Sequence, residues 1–112
     1  MTGQPSANAA LAHMVYFTLK EDSPAGRQKL LESCRRHLKG IPGITFFALG
    51  TLVPDLARPV NVRDFHVGLH VAFESRKAHD AYQVDSRHLQ FIAENKDTWQ
   101  QVRIFDCDCI AT

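Results

Sequence analysis

Tyr82 and His88 are the two side chains in this sequence best suited to moving a proton. An imidazole titrates from about pH 6.5 and so takes up a proton near neutrality, while a phenol can donate a hydrogen bond to a carbonyl or enolate oxygen. Helical spacing puts His88 near Phe91 and Ile92, at the edge of an apolar face where burial can tune its basicity. Tyr82 precedes it across a helix break, so the two can converge on one cavity. The plainer alternative is that Tyr82 is ordinary helix packing and His88 a hydrogen-bonded core histidine, since polar groups on apolar faces are usually satisfied. His13 shares a strand face with Val15 and Phe17. If that face meets the helices, His13 stands at the mouth of the same cavity, where it can orient His88 or a ligand, or simply bond a loop carbonyl. The expectation is a small apolar pocket between sheet and helices, with His88 and Tyr82 as its catalytic pair and His13, Phe17, Phe91 and Ile92 as ligand contacts. Rings of His13 and His88 on opposite sides of the sheet would contradict it.

The other histidines and the cysteines point less clearly to chemistry. His66 and His70 have the i, i+4 spacing that chelates a metal on a helix, but they fall in an alternating, strand-like run. At the rise of a strand they stand about 13 Å apart, too far to share an ion, so no metal and no cofactor is expected. Each can instead meet its symmetry mate across an interface or face a barrel interior. His37 and His79 lie among charged residues and read as solvated. Cys107 and Cys109 share a strand face with one residue between them, a poor geometry for a mutual disulfide. With no base or cation beside them they read as buried, inert thiols, and Cys34 as core.

The elements that must position these groups follow from periodicity. Residues 1–10 mix Gly, Pro, Ser and Asn with alanine and read as a flexible tail, without the basic and apolar regions of a secretion signal. Residues 11–112 then form one domain. Leu11 to Leu19 alternates as a strand, and Ser23 followed by Pro24 opens a helix whose stripe is Leu30, Leu31, Cys34 and Leu38. Gly40 and Pro42 stop it. Gly43 to Val53 is a second strand, expected to bulge at Gly50, and a loop covers Pro54 to Arg63. Asp64 to Glu74 alternates most cleanly, with Phe65, Val67, Leu69, Val71 and Phe73 on one face. Ser75 caps a helix holding Ala78, Ala81 and Tyr82, and Asp85 with Ser86 starts another holding Leu89, Phe91, Ile92 and Ala93. Trp99 to Ile110 is the fourth strand.

Strand, helix, strand, strand, helices, strand is the order of a ferredoxin-like α+β fold, a split βαβ with a four-stranded antiparallel sheet and helices on one face. The other face, partly apolar, would be bare in a monomer, which predicts a homodimer. Thirteen Lys+Arg against twelve Asp+Glu, a formal charge of +1, lack the basic footprint of a nucleic-acid binder, and Arg35, Arg36 and Lys39 read as a solvated helix surface. No window approaches the ~20 apolar residues of a membrane span, and three cysteines do not make a disulfide framework, so the cytoplasm is the expected compartment.

Several of these residues together resemble a known family. The opening strand with its early histidine, His13-Met-Val-Tyr-Phe, the turn Ile41-Pro-Gly-Ile44 with Gly50 after it, and the run Phe73-Glu-Ser75 leading to Tyr82 and His88 are similar to the stress-responsive A/B barrel (Dabb) domain of dimeric α/β barrel proteins, over about Leu11 to Cys109. The resemblance implies two ferredoxin-like subunits whose sheets close into one barrel. It also implies a small-molecule site, for one plant member is a polyketide cyclase in which a tyrosine and a histidine serve an intramolecular aldol condensation. By motif these correspond to Tyr82 and His88. Where the family often places His-Pro before the residue preceding that histidine, this chain has Asp85-Ser86-Arg87-His88. Two functions remain open: a binding or protective dimer that holds an apolar or carbonyl-containing ligand, and a cyclase-like enzyme with His88 as general base and Tyr82 as hydrogen-bond donor.

Overall fold

The computed structural model describes residues 9–110, so the expected tail lies outside the described residues except for its last two positions. Those two already belong to the first strand: Ala9 and Ala10 pair with Ile110 and Cys109. The strand β1 (Ala9–Leu19) is followed by helix α1 (Pro24–Leu38), strands β2 (Ile44–Thr51) and β3 (Val67–Phe73), helices α2 (Arg76–Val84) and α3 (Ser86–Asn95), a 3-10 turn at Lys96–Thr98, and β4 (Trp99–Ile110). The four strands form one antiparallel sheet in the order β2-β3-β1-β4. This is the ferredoxin-like α+β arrangement.

Local chemistry sets the helix ends. Ser23 accepts the amide of Gly26 at 2.9 Å at the start of α1, and Pro24 takes the position where a missing N–H is harmless. The Ser75 hydroxyl accepts from Ala78 N to open α2, and the Asp85 carboxylate accepts from Arg87 N at 2.8 Å to open α3. Asp85 thus ends one helix and caps the next, and that break turns Tyr82 and His88 toward one another.

On the helix-covered side of the sheet, alternate residues of the two central strands supply the core: Leu11, Val15, Phe17 and Leu19 from β1, and Val67, Leu69, Val71 and Phe73 from β3. Leu30, Cys34 and Leu38 of α1, Tyr82 of α2 and Phe91 of α3 complete it.

Two expectations need correction. Gly50 carries no bulge: it pairs directly with Gly68, and the register shift lies between Ile44 and Phe46, where Thr45 is the extra residue. Phe65 leaves the alternation of β3, because regular pairing starts only at Val67. Its ring packs against Tyr16 on the opposite side of the sheet, with centroids 4.9 Å apart. Leu89 lies in α3 as expected and is exposed there, with Phe91 the apolar residue of α3 turned fully into the core.

Among the described residues, the sheet's second side carries no helix. Met14, Tyr16, Phe46, Ala48, His70, Ala72 and Phe105 face it according to the strand register, and Phe46 and Phe105 are 56% and 59% exposed. No helix among the described residues is long and apolar enough to cross a membrane.

Candidate functional site

His13, Tyr82 and His88 lie on the helix-covered side of the sheet, with the buried ring of Phe73 against His13 and Tyr82, and His88 against Tyr82. His13 occupies the centre of β1, opposite Val71 on one side and Asp106 on the other. The Tyr82 ring stands 6.0 Å from His13 and 4.8 Å from Phe73. The His88 ring lies 4.6 Å from Tyr82, tilted by 43°. Helix α2 presents Tyr82 to the sheet, and the Asp85 break carries His88 back over it.

The His88 Nδ1 donates to the carbonyl of Gln83 at 3.2 Å. That bond fixes the tautomer in which Nε2 is the unprotonated nitrogen. Burial pulls the imidazole below its ordinary value of 6.5, against the smaller upward pull of the Gln83 carbonyl, so His88 is a neutral base near pH 7. Tyr82 moves the other way. It is 1% exposed, and burial, with a smaller contribution from neighbouring Cys34, pushes its phenol well above the usual tyrosine range. The phenol therefore stays protonated and can only donate or accept hydrogen bonds, never act as a phenolate. Cys34 is itself pushed up to about 12 by burial.

His13 is 3% exposed, and its Nδ1 meets the Asp106 carboxylate at 2.5 Å across the β1–β4 pair. His79 joins the group, with its ring 5.3 Å from His13 and 5.5 Å from Phe73. The expectation of a solvated His79 is therefore corrected: α2 turns it inward although its sequence neighbours are charged. Neither Asp106 nor His79 stood out in the sequence as part of a site. The signal for Asp106 was a pair of acidic residues, Asp106 and Asp108, in a phase of β4 that also holds Val102, Ile104 and Ile110, legible once β4 is paired with β1.

Of the expected ligand contacts, Phe17 and Phe91 pack with Trp99, at 5.0 and 5.7 Å between ring centroids, as part of the core. Ile92 packs against the same cluster, half-buried. Phe17 comes from the sheet and Phe91 and Ile92 from α3, all in the packed core, while the polar groups gather around Phe73 and Tyr82.

The remaining histidines have separate partners. His66 Nδ1 accepts the amide of Leu19 at 2.9 Å, whereas His70 Nε2 meets the Tyr16 hydroxyl at 3.3 Å on the open side. His37 is bound to Glu94 at 2.9 Å and largely covered, not solvated as its sequence neighbours suggested. Cys107 is exposed and Cys109 partly so, contrary to the expectation of buried thiols, because β4 is an edge strand and none of the described residues covers its open side.

A cleft of about 460 Å³ lies on the open side of the sheet, between it and the β2–β3 loop, lined by Met14, Tyr16, Leu56, Phe65, Arg103 and Phe105 among others. Arg103 is tied to Asp64 by one terminal nitrogen, and its Nε has no partner. This cleft is separated from His13, Tyr82 and His88 by the sheet.

A four-stranded antiparallel sheet with helices on one face and a His–Tyr–His group on that same side defines a ferredoxin-like α+β protein. The family model described as Stress responsive A/B Barrel Domain, Dabb, matches residues 11–109, and the chain belongs to that family. Among solved structures it is similar to a Dabb family protein with a ferredoxin-like fold from Mesorhizobium loti, at 23% identity and TM-score 0.75, covering 88% of this chain and 95% of that one. A dimeric ferredoxin-like protein of unknown function from Thermobifida fusca matches at 14% identity and TM-score 0.76, over 91% and 92% of the two chains. The hydroxynitrile lyase of Passiflora edulis matches at 16% identity and TM-score 0.72, over 92% and 95%. These likenesses concern the fold. No curated protein matches the chain.

Proposed function

We propose that this protein works as a homodimer, each chain contributing one domain over residues 11–112, and that each domain holds a small, largely apolar, carbonyl-bearing molecule between sheet and helices beside His13, Tyr82 and His88. The observation that carries the reading is the facing of Tyr82 and His88 rings at 4.6 Å, with one His88 nitrogen occupied by a backbone carbonyl and the other left as acceptor. A carbonyl oxygen would take its hydrogen bond from the Tyr82 hydroxyl, and Phe73 and Ile92 would supply apolar contact. The dimeric neighbour from Thermobifida fusca and the exposed Phe46 and Phe105 support pairing through the open face.

A second reading, in which the site is catalytic, is favoured by the tautomer of His88. As a neutral base it would take a proton from the carbon next to the bound carbonyl through Nε2, and Tyr82 would donate a hydrogen bond to the enolate oxygen that forms. The enolate carbon could then attack a second carbonyl of the same molecule, whose π electrons move onto its oxygen, and that alkoxide would take back the proton held on His88 Nε2, completing an aldol cyclisation and restoring the neutral base. A hydroxynitrile lyase, itself an enzyme by name, stands among the structural neighbours.

Benzoylacetone, an apolar β-dicarbonyl, tests both readings by binding isotherm and by deuterium exchange at its methylene. Saturable binding that Tyr82→Phe weakens supports the ligand reading. Exchange accelerated by the protein and reduced about 100-fold in His88→Ala, the usual size of a general-base contribution, supports the catalytic one. Binding that neither substitution alters would overturn both.

A further inference from the structure

We propose that His13, His79 and Asp106 form a binding site for one divalent first-row transition-metal ion such as zinc. One ligand atom from each of the three lies within 4.8 Å of the other two. The group is assembled from three elements. The strand pairing sets Asp106 directly opposite His13, and α2 lays the His79 ring against His13 at 5.3 Å with an interplanar angle of 65°. Zinc bonds to imidazole nitrogen and carboxylate oxygen of about 2.0–2.2 Å place donors roughly 3–4 Å apart, so closure around an ion needs side-chain shifts on the order of 1 Å.

Two further features fit a metal. Metal-bound imidazoles generally carry a carboxylate or carbonyl on their other nitrogen, which orients the ring. His79 Nδ1 has such a partner in Asp80 at 3.0 Å, and Asp80 is braced in turn by Arg76 at 2.8 Å. The local charge is also right for a cation: Asp106, Asp108 and Asp80 surround the group, with Arg76 as the opposing charge. His13 is buried while the Asp106 side chain is 47% exposed, so an ion can enter over the edge strand β4 and dehydrate as it meets the imidazoles.

Three protein ligands of this type leave a coordination position for water or for an oxygen of a bound molecule, the pattern of a reactive rather than a closed structural centre. Two imidazoles with one carboxylate suit zinc or ferrous iron better than magnesium or calcium, which take oxygen ligands. The site stands on its own observations and does not depend on the ligand reading above, although His13 adjoins both.

The experiment is a titration of the full chain with cobalt(II), followed by its visible absorption, and then competition with zinc(II). One cobalt per chain, displaced by zinc, is expected. Asp106→Asn and His79→Ala should each weaken zinc binding by at least about 10-fold, and Asp80→Asn by roughly 10- to 100-fold as a supporting residue. His66→Ala should leave it unchanged. Far-UV circular dichroism identifies any variant that fails to fold, and Asp106, on the exposed edge, carries the test if His79→Ala does. Binding that survives both ligand substitutions, the intense sulfur charge-transfer bands of cobalt held by Cys107 and Cys109, or no binding at millimolar metal would overturn the proposal.

Discussion

A histidine whose Nδ1 is held by a backbone carbonyl can exchange protons only through Nε2, and its usefulness as a base depends on staying neutral at working pH. Burial lowers His88 below 6.5, so the base form predominates near neutrality and any activity that uses it should fall on an acid limb below that value, a limb absent in His88→Ala. The same shift has a consequence for stability. The folded chain binds the His88 proton less readily than the unfolded one, so this contribution is full above about pH 6.5 and is lost as pH falls through the folded value. Urea unfolding at pH 7.5 and 5.5 should therefore show a smaller loss of stability at the lower pH in His88→Ala than in the unmodified chain. Cys34, at about 12, should resist Ellman's reagent in the native protein and react only in denaturant; reaction at the rate of a free thiol would contradict its burial. At this scale the sequence made Tyr82 and His88 visible, since each lies in a short helix whose phase can be counted from its cap, Ser75 for one and Asp85 for the other. Asp106 and His79 escaped notice because their nearness to His13 depends on a strand pairing 93 residues apart and on how α2 docks, neither of which periodicity reports.

Between elements, the joins are where single changes should tell most. Gly40 and Gly43 both have positive φ, 91° and 92°, on either side of the turn between α1 and β2. A Cβ on Gly40 meets nothing within 4 Å, whereas one on Gly43 would sit 2.5 Å from the Ala78 Cβ of α2. Gly40→Ala should thus cost only the backbone term of about 1 kcal/mol, and Gly43→Ala about 2–4 kcal/mol as strain and overpacking add. Equal midpoints in thermal unfolding would show that α2 does not press on that turn. Asn95 is a second join, donating its amide to Ser33 Oγ and Phe91 O, both at 2.8 Å, so that α3 is tied to α1 inside the core. Asn95→Ala should cost about 1–3 kcal/mol by leaving the Ser33 hydroxyl without this donor. Capping chemistry made the helix starts legible, for Ser23, Ser75 and Asp85 act within a few residues of themselves. The bulge near Thr45 and the outward turn of Phe65 were not legible, because both are set by the partner strand and by the far side of the sheet.

For the whole molecule, one face of the sheet is sealed by helices and the other is left with Phe46 and Phe105 exposed and Tyr16 half-buried between Phe65 and Phe105. A second copy that covers this face would remove that apolar surface from water, and light scattering should give about 25 kDa, twice the 12.6 kDa of the chain. Phe105→Lys should return the 12.6 kDa species, whereas a monomer at micromolar concentration in the unmodified protein would contradict pairing. The α+β order of elements was readable from the sequence; which side of the sheet holds the site depends on tertiary placement, and the large cleft on the open side makes this the decisive question. The most direct measurement is an NMR titration with benzoylacetone that follows the ring resonances of the histidines and aromatics. Saturating shifts at His13, His79, Tyr82 and His88, with Tyr16, Phe65 and Phe105 unmoved, are the predicted result. Shifts confined to Tyr16, Phe65 and Phe105 would place the ligand in the open-side cleft and contradict a site between sheet and helices.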